Sequence, residues 1–295
     1  MKKAVPIFSL LFVAATVLPA QQLLSEAVAA FPAQTVSLEY DALSKLRTLP
    51  SYASMRKQYS GEGLQRAQRD LLLLGISENQ LSEVVTGSGP NGFFGLLAGS
   101  FHQTAAMKDA VKHGMIPSVL DDGPVFCAKD AVCFLLPSQE DGHALFGNLD
   151  QLRAISDVRQ GRAASLRSNT TFMNLLNRME PESPVFGFAP GKEIGDWIGT
   201  SIPAAISSHI DLNRLFSTIE NFGYSVKVDS KAHVGLNLFC SSEEAGTVLK
   251  DTLSAASGLE RAAAMAAGSS AMPFDKMVVQ SSGRIVAVNL DAAIQ

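Results

Sequence analysis

Phe222-Gly-Tyr-Ser-Val-Lys-Val228, a link at Asp229-Ser230-Lys231, and then His233-Val-Gly-Leu-Asn-Leu-Phe-Cys240 decide the fold class of this chain. Before the link, Phe222, Tyr224, Val226 and Val228 fall on every second position. After it, Val234, Leu236, Leu238 and Cys240 do the same. A period of two is that of a strand with one face on a core, and two such runs across a short polar link make an antiparallel hairpin.

The residues that follow repeat the grammar. Ser241-Ser242-Glu243-Glu244 opens a helix over Ala245–Ala255, because Ser accepts from the free amides of a first turn and acids complement its positive end. Met277–Gln280 and Arg284–Leu290 then read as a last hairpin across Ser281-Ser282-Gly283. Upstream, Val185–Ala189 reads as a strand, Gly191–Ile198 as a helix, and Ser201–Ile210 as a second helical piece opened by Pro203.

The N-terminal part of the chain has the same element order. Thr35–Tyr40 alternates with Val36, Leu38 and Tyr40 on one face. Asp41 is placed to cap a helix through about Arg47, and Leu64–Leu74 carries leucines at helical spacing. Leu81–Val85 and Phe93–Gly99 form a strand pair, Ser100–His113 a helix, and Val125–Ala128 with Val132–Leu136 a second pair. A strand at His143–Gly147 and a helix at Asp150–Val158 close this half. Gly161–Glu182 is a connector with one helix, Thr170–Met179, capped by Ser168 or Asn169. The expected class is therefore α+β: a largely antiparallel sheet or sheets, helices packed on one face, and two structurally similar halves. The expected divisions are a signal peptide at 1–20, a linker or short helix at 21–34, a first half at 35–165, a connector at 166–183 and a second half at 184–295.

Lys2-Lys3 followed by the apolar run Ala4–Leu18, with Leu18-Pro19-Ala20 ahead of Gln21, has the order of a secretory signal. Cleavage after Ala20 is the preferred reading and after Ala30 the alternative. An uncleaved anchor is disfavoured, because the run falls short of the roughly 20 apolar residues that span a bilayer. The expected destination is thus the periplasm or the exterior, with no span left after cleavage. The chain holds 24 basic and 28 acidic residues, and losing Lys2 and Lys3 takes its formal charge from −4 to −6. A mildly acidic product has no electrostatic footprint for nucleic acid or anionic lipid, and the expected contact is a protein partner or ligand in the cell envelope.

No motif specifies a reaction. Gly87-Ser-Gly89-Pro-Asn-Gly92 is a literal G-x-G-x-x-G, but Phe93-Phe94-Gly95-Leu96-Leu97 follows as a strand where a dinucleotide site needs a helix, so it reads as a hairpin loop. His102, His113, His143, His209 and His233 lack metal-ligand spacing. There is no nucleophile elbow, and Asp121-Asp122, Glu140-Asp141 and Glu243-Glu244 read as turn or helix-start residues. No catalytic, cofactor-binding or metal-binding residue is assigned, and no cofactor is expected.

Two features remain open. Cys127 and Cys133 would face each other across a hairpin, so they are either two small buried residues, the preferred reading, or a disulfide in an oxidising compartment. Cys240 is left over in both. Ile194, Ile198, Ile202, Ile206 and Ile210, with Trp197 beside them, recur every fourth residue. They make either an interaction ridge for a partner or membrane surface or, preferred, two short helices facing the core across Gly199 and Pro203.

The stretch His143–Ala189 resembles a segment of uncharacterised exported bacterial proteins. The residues that carry the likeness are Gly147, Leu152, Ile155, Gly161, Ser165-Leu166, Asn169, Phe172, Leu175, Leu176 and Pro184-Val185-Phe186-Gly187, and Val234–Leu253 is similar too. The resemblance implies a repeated α+β architecture with no established activity and carries over no site residue. The expected function is a non-catalytic extracytoplasmic protein that binds a partner or ligand through its sheet face or the Ile194–Ile210 region. The alternative is an exported hydrolase whose site is assembled from distant segments.

Overall fold

The computed structural model describes residues 19–50, 52, 62–100, 103–129, 132–137, 142–179, 182–194, 216–229, 231–266 and 277–293. Its strands are β1 (Ser37–Asp41), β2 (Leu81–Gly89), β3 (Gly92–Gly99), β4 (Ile116–Leu120), β5 (Gly123–Cys127), β6 (Cys133–Leu135), β7 (Ala144–Gly147), β8 (Val185–Pro190), β9 (Ile219–Val228), β10 (Lys231–Cys240), β11 (Val278–Ser282) and β12 (Ile285–Ala293). The helices are α1 (Pro19–Ala30), α2 (Leu43–Leu46), α3 (Glu62–Leu71), α4 (Gln103–Lys112), α5 (Leu149–Arg159), α6 (Thr170–Leu176) and α7 (Glu243–Ala266). All the strands join one 12-stranded sheet in the order β11-β12-β10-β9-β8-β1-β2-β3-β7-β6-β5-β4.

That order repeats about the β1–β8 pair. Outward from the centre the first half runs β1-β2-β3-β7-β6 and the second runs β8-β9-β10-β12-β11, after which only the first half continues with the β5–β4 hairpin. Every pairing is antiparallel, and the central register is two-fold. Leu38 faces Phe188, Tyr40 faces Phe186, and Glu39 faces Gly187 at the middle. Exchanging Leu38 with Phe186 and Tyr40 with Phe188 maps the register onto itself. The fold is therefore α+β with two topologically equivalent halves in one sheet.

Within each half the equivalent helix after the third strand, α4 or α7, lies on the same side, here called the back. On the back of the first half, Val84, Leu97, Phe134 and Phe146 pack with Leu43, Leu46, Leu71 and Ala110 of α2, α3 and α4. On the back of the second half, Phe222, Leu236, Leu238, Val286 and Val288 pack with Leu249 of α7. Among the described residues the front is covered only around the first half and β8. There α1, α5 and α6 bring Leu23, Ala27, Leu152, Ile155, Phe172 and Leu175 onto Leu38, Tyr40, Phe94, Leu96, Leu145, Phe186 and Phe188. Tyr40 stacks on Phe186 at 4.9 Å between ring centroids, and Phe172 meets Phe188 edge-on at 4.9 Å. Each such fully buried aromatic contributes about 2–3 kcal/mol of transfer free energy.

Polar side chains set the helix starts. Asn148 Oδ1 accepts from Gln151 N at 2.8 Å ahead of α5, Asn169 Oδ1 accepts from Phe172 N at 3.0 Å ahead of α6, and Ser242 Oγ accepts from Ala245 N at 3.1 Å in α7. Asp41, expected to cap a helix, is instead the last residue of β1, paired with Val84 and Val185. The next helix starts after Ala42 without a side-chain cap. The glycine-rich G-x-G-x-x-G stretch is mostly strand, since Gly89 pairs with Gly92 and only Pro90-Asn91 turn. Gly87 must lack a Cβ because Phe94 Cε2 would stand 2.8 Å from it and Phe31 Cδ2 3.2 Å. Of the two readings of 21–34, linker or short helix, the structure has the helix. The segment is mostly α1, whose Leu23, Ala27, Val28 and Ala30 are buried, and Pro32 bridges to Ser165.

Candidate functional site

Two polar clusters lie against the apolar layers. The first lines an open cleft of about 380 Å³ where α1 passes the ends of β2 and β3, walled by Gln22, Arg47, Glu83, Ser82, Ser100 and His143 among others. Arg47 enters from the end of α2. Its Nη1 donates to Glu78 O at 3.0 Å and its Nη2 to Leu81 O at 2.7 Å. Two carbonyls fix the guanidinium without neutralising it, so it keeps a full positive charge at the rim. Opposite it, His143 Nδ1 meets Glu26 Oε2 of α1 at 2.5 Å. The hydrogen bond to Glu26 raises the His143 pKa, and the same bond lowers that of Glu26 despite its partial burial. Glu83, facing the front with Val85, lines the same cleft beside the buried Tyr40 hydroxyl. Burial, and then the charge of Glu83, push the Tyr40 pKa up.

The second cluster sits on the back, at the two-fold centre between the two back cores. Glu39 and Asp41 are two apart on β1 and point the same way. The Tyr224 hydroxyl of β9 donates to Glu39 Oε2 after its ring crosses Gly187, where a Cβ would stand 2.5 Å from Tyr224 Cζ. Burial raises the pKa of both carboxyls. Asp41 is held well above its ordinary range, first by burial and then by the charge of Glu39 and hydrogen bonding to it, which makes Asp41 the member of the pair that favours the proton. Burial likewise raises the Tyr224 pKa. The cluster closes on itself: Glu39 accepts from the Tyr224 hydroxyl and interacts with Asp41 beside it. Its effect is to tie β1 to β9 across β8.

Cys127 and Cys133 are directly opposed on β5 and β6, and the structure joins them as a disulfide with a Cα–Cα distance of 3.9 Å. Cys240 is a free, buried thiol whose pKa burial raises. Of the isoleucine series, Ile194 is buried in the back core of the second half. Trp197, Ile198, Ile202, Ile206 and Ile210 lie outside the described residues. Among the described residues no three His, Cys, Asp or Glu side chains are grouped to hold a metal ion, and no helix is long and apolar enough to cross a membrane.

No protein-family model and no curated protein sequence matches the chain. Solved structures do. Crystal form I of TP0453 superposes with a TM-score of 0.53 at 8% identity, covering 90% of this chain and 91% of that one. Crystal form III gives 0.50 at 8% identity, over 91% and 94%. The chain shares the fold of TP0453. At that identity the likeness to TP0453 concerns the path of the backbone, and the site must be read from this chain's own side chains.

Neither cluster is apparent in the sequence. The cleft gathers residues from five separated segments, so no local spacing signals it. Glu39 and Asp41 carried a usable signal that the alternation of Leu38 and Tyr40 concealed. They sit on the second face of a strand whose first face is already apolar, and Ala42, Leu43 and Leu46 follow at once, so both faces must be covered.

Proposed function

We propose that this is a non-catalytic extracytoplasmic protein that binds a ligand or protein partner in the cell envelope, and that the cleft between α1 and the ends of β2 and β3 is where it binds. The observation that supports this most is Arg47, a guanidinium fixed by two carbonyls and, among the described residues, in no ion pair with a carboxylate, in the same cleft as Glu83 and His143. A group presenting an anion to Arg47 and a donor to Glu83 would satisfy both. Export rests on the signal-like residues 1–20 and on the resemblance of His143–Ala189 to exported bacterial proteins. Cleavage after Ala20 leaves α1 in place from Gln21 onward, whereas cleavage after Ala30 would strip Leu23, Ala27 and Val28 from the front core. Mass spectrometry of the exported protein should find Gln21 at the N-terminus and no alkylatable thiol at Cys127 or Cys133. Met1 at the N-terminus would replace release with anchoring.

Binding is tested by a photo-crosslinking side chain in place of Ser100, which is exposed in the cleft wall, with the exposed Gln160 as control position. Position 100 should capture a defined adduct that Arg47→Ala abolishes. Identical adducts from both positions contradict the assignment. One observation favours the hydrolase alternative: Glu26 orients His143 in a cleft that also holds Ser82 and Ser100, the parts of an acid–base–nucleophile relay. Neither serine hydrogen-bonds His143, however, so the contact that activates the nucleophile is missing. Hydrolysis of a model ester that Ser82→Ala or Ser100→Ala abolishes would reverse this preference.

A further inference from the structure

The repeat exposes an asymmetry at the two ends of the sheet. In the first half the strand furthest out in the shared order, β6, is covered by β5, with Val125 facing Leu135, Phe126 facing Phe134 and Cys127 facing Cys133. Its counterpart in the second half is β11, and among the described residues nothing pairs with the outer side of β11. The two free edges also differ in protection. The β4–β5 hairpin turns through Asp121-Asp122, so the flanking pair Leu120–Gly123 is hydrogen-bonded and alternate residues, including Pro117, point their backbone outward. Pro117 removes a donor from that edge, a common device against strand addition. Edge strand β11 has no proline, lysine or other charged residue, and Val278, Gln280, Ser281 and Ser282 are exposed along it.

We infer that β11 is the place where a second copy of this chain adds its own β11, so that the partner strand occupies the position β5 holds in the first half. The geometry is self-complementary. Ser282 and Ile285 flank the Gly283-Arg284 turn, so Ser282, Gln280 and Val278 bond inward to β12, and Val279 and Ser281 present N–H and C=O groups outward. Antiparallel pairing about a two-fold at Gln280 sets Val279 against Ser281 of the partner in both directions, with Gln280 opposite its own copy. Within 278–282 no charge opposes a like charge, and two amides face each other where they can exchange hydrogen bonds. The contact is isologous and closes at a dimer.

Sedimentation of the mature chain tests this. The wild type should run at twice the mass of the chain. Gln280→Lys and Gln280→Glu each set like charges across the two-fold and should each run at the monomer mass. Mixing the two variants should restore the doubled mass, which also shows that both are folded. A wild type that stays monomeric, variants that remain dimeric, or a mixture that fails to reassociate each overturns the assignment.

Discussion

The two halves of the sheet share a strand order and differ in what covers them. The first half carries helices on both faces and finishes with an extra hairpin. The second carries its described helices on the back, and its front shows Asn237, Gly235, Ser225 and Asn289 in adjacent strands. The added front layer comes from α1, ahead of the first repeat, and from α5 and α6 in the connection between repeats. The repeated strand order thus accounts for the sheet and for one back helix in each half, and segments outside the repeat form the second core. An antiparallel sheet tolerates this, since one of its faces can stand in water.

The largest expected effect sharpens that contrast. Phe172→Ala, which empties a buried position on the front of the first half, should cost about 3–5 kcal/mol in urea unfolding. Asn237→Ala, on the front of the second half where no described helix packs, should stay within about 0.5 kcal/mol. Equal losses would mean that the two fronts are alike. Next comes the seam. Gly187→Ala forces the Tyr224 ring off the strand and breaks its bond to Glu39, so a loss of about 2–3 kcal/mol should appear as a lower denaturation midpoint.

How much of this was visible in the residues follows from what each element faces. The hairpins β9–β10 and β11–β12 were legible because one apolar face alternates with a less apolar one across turn-forming residues, and β2–β3, apolar on both faces, because a Gly/Ser/Pro/Asn loop separates its two runs. β4 was not, because Ile116 and Val119 are exposed and Pro117 argues against a strand interior, a rule that holds only away from edges. The front layer and the cleft depend on α1 meeting segments more than a hundred residues away, and no periodicity encodes that.

The seam also has a signature in pH. Asp41 and Glu39 have raised pKa values in the folded protein, so between the ordinary carboxylate pKa of about 4 and the folded values the native state holds protons that the unfolded chain has released. Their contribution is full in acid and is lost as pH rises. Asp41→Asn, whose amide can still donate to Glu39, should flatten the fall in stability with pH. An unchanged slope would place the proton elsewhere.

The smallest effect concerns the attachment of α1. The lowered Glu26 pKa gives a contribution lost as pH falls through it, and the raised His143 pKa gives one lost as pH rises through it, so the pair is strongest between the two. Glu26→Gln should cost about 1 kcal/mol in this partly exposed setting. It should also return the NMR titration of His143 toward its ordinary midpoint, and a midpoint that does not move would separate the two side chains in solution.

The account turns on one asymmetry: the first half completes its own edge and the second is completed by another copy. Hydrogen exchange at the Val279 and Ser281 amides reads this directly. In the wild type, protection at both should rise with protein concentration, while in Gln280→Lys both should exchange fast at every concentration. Fast exchange in both proteins would contradict it.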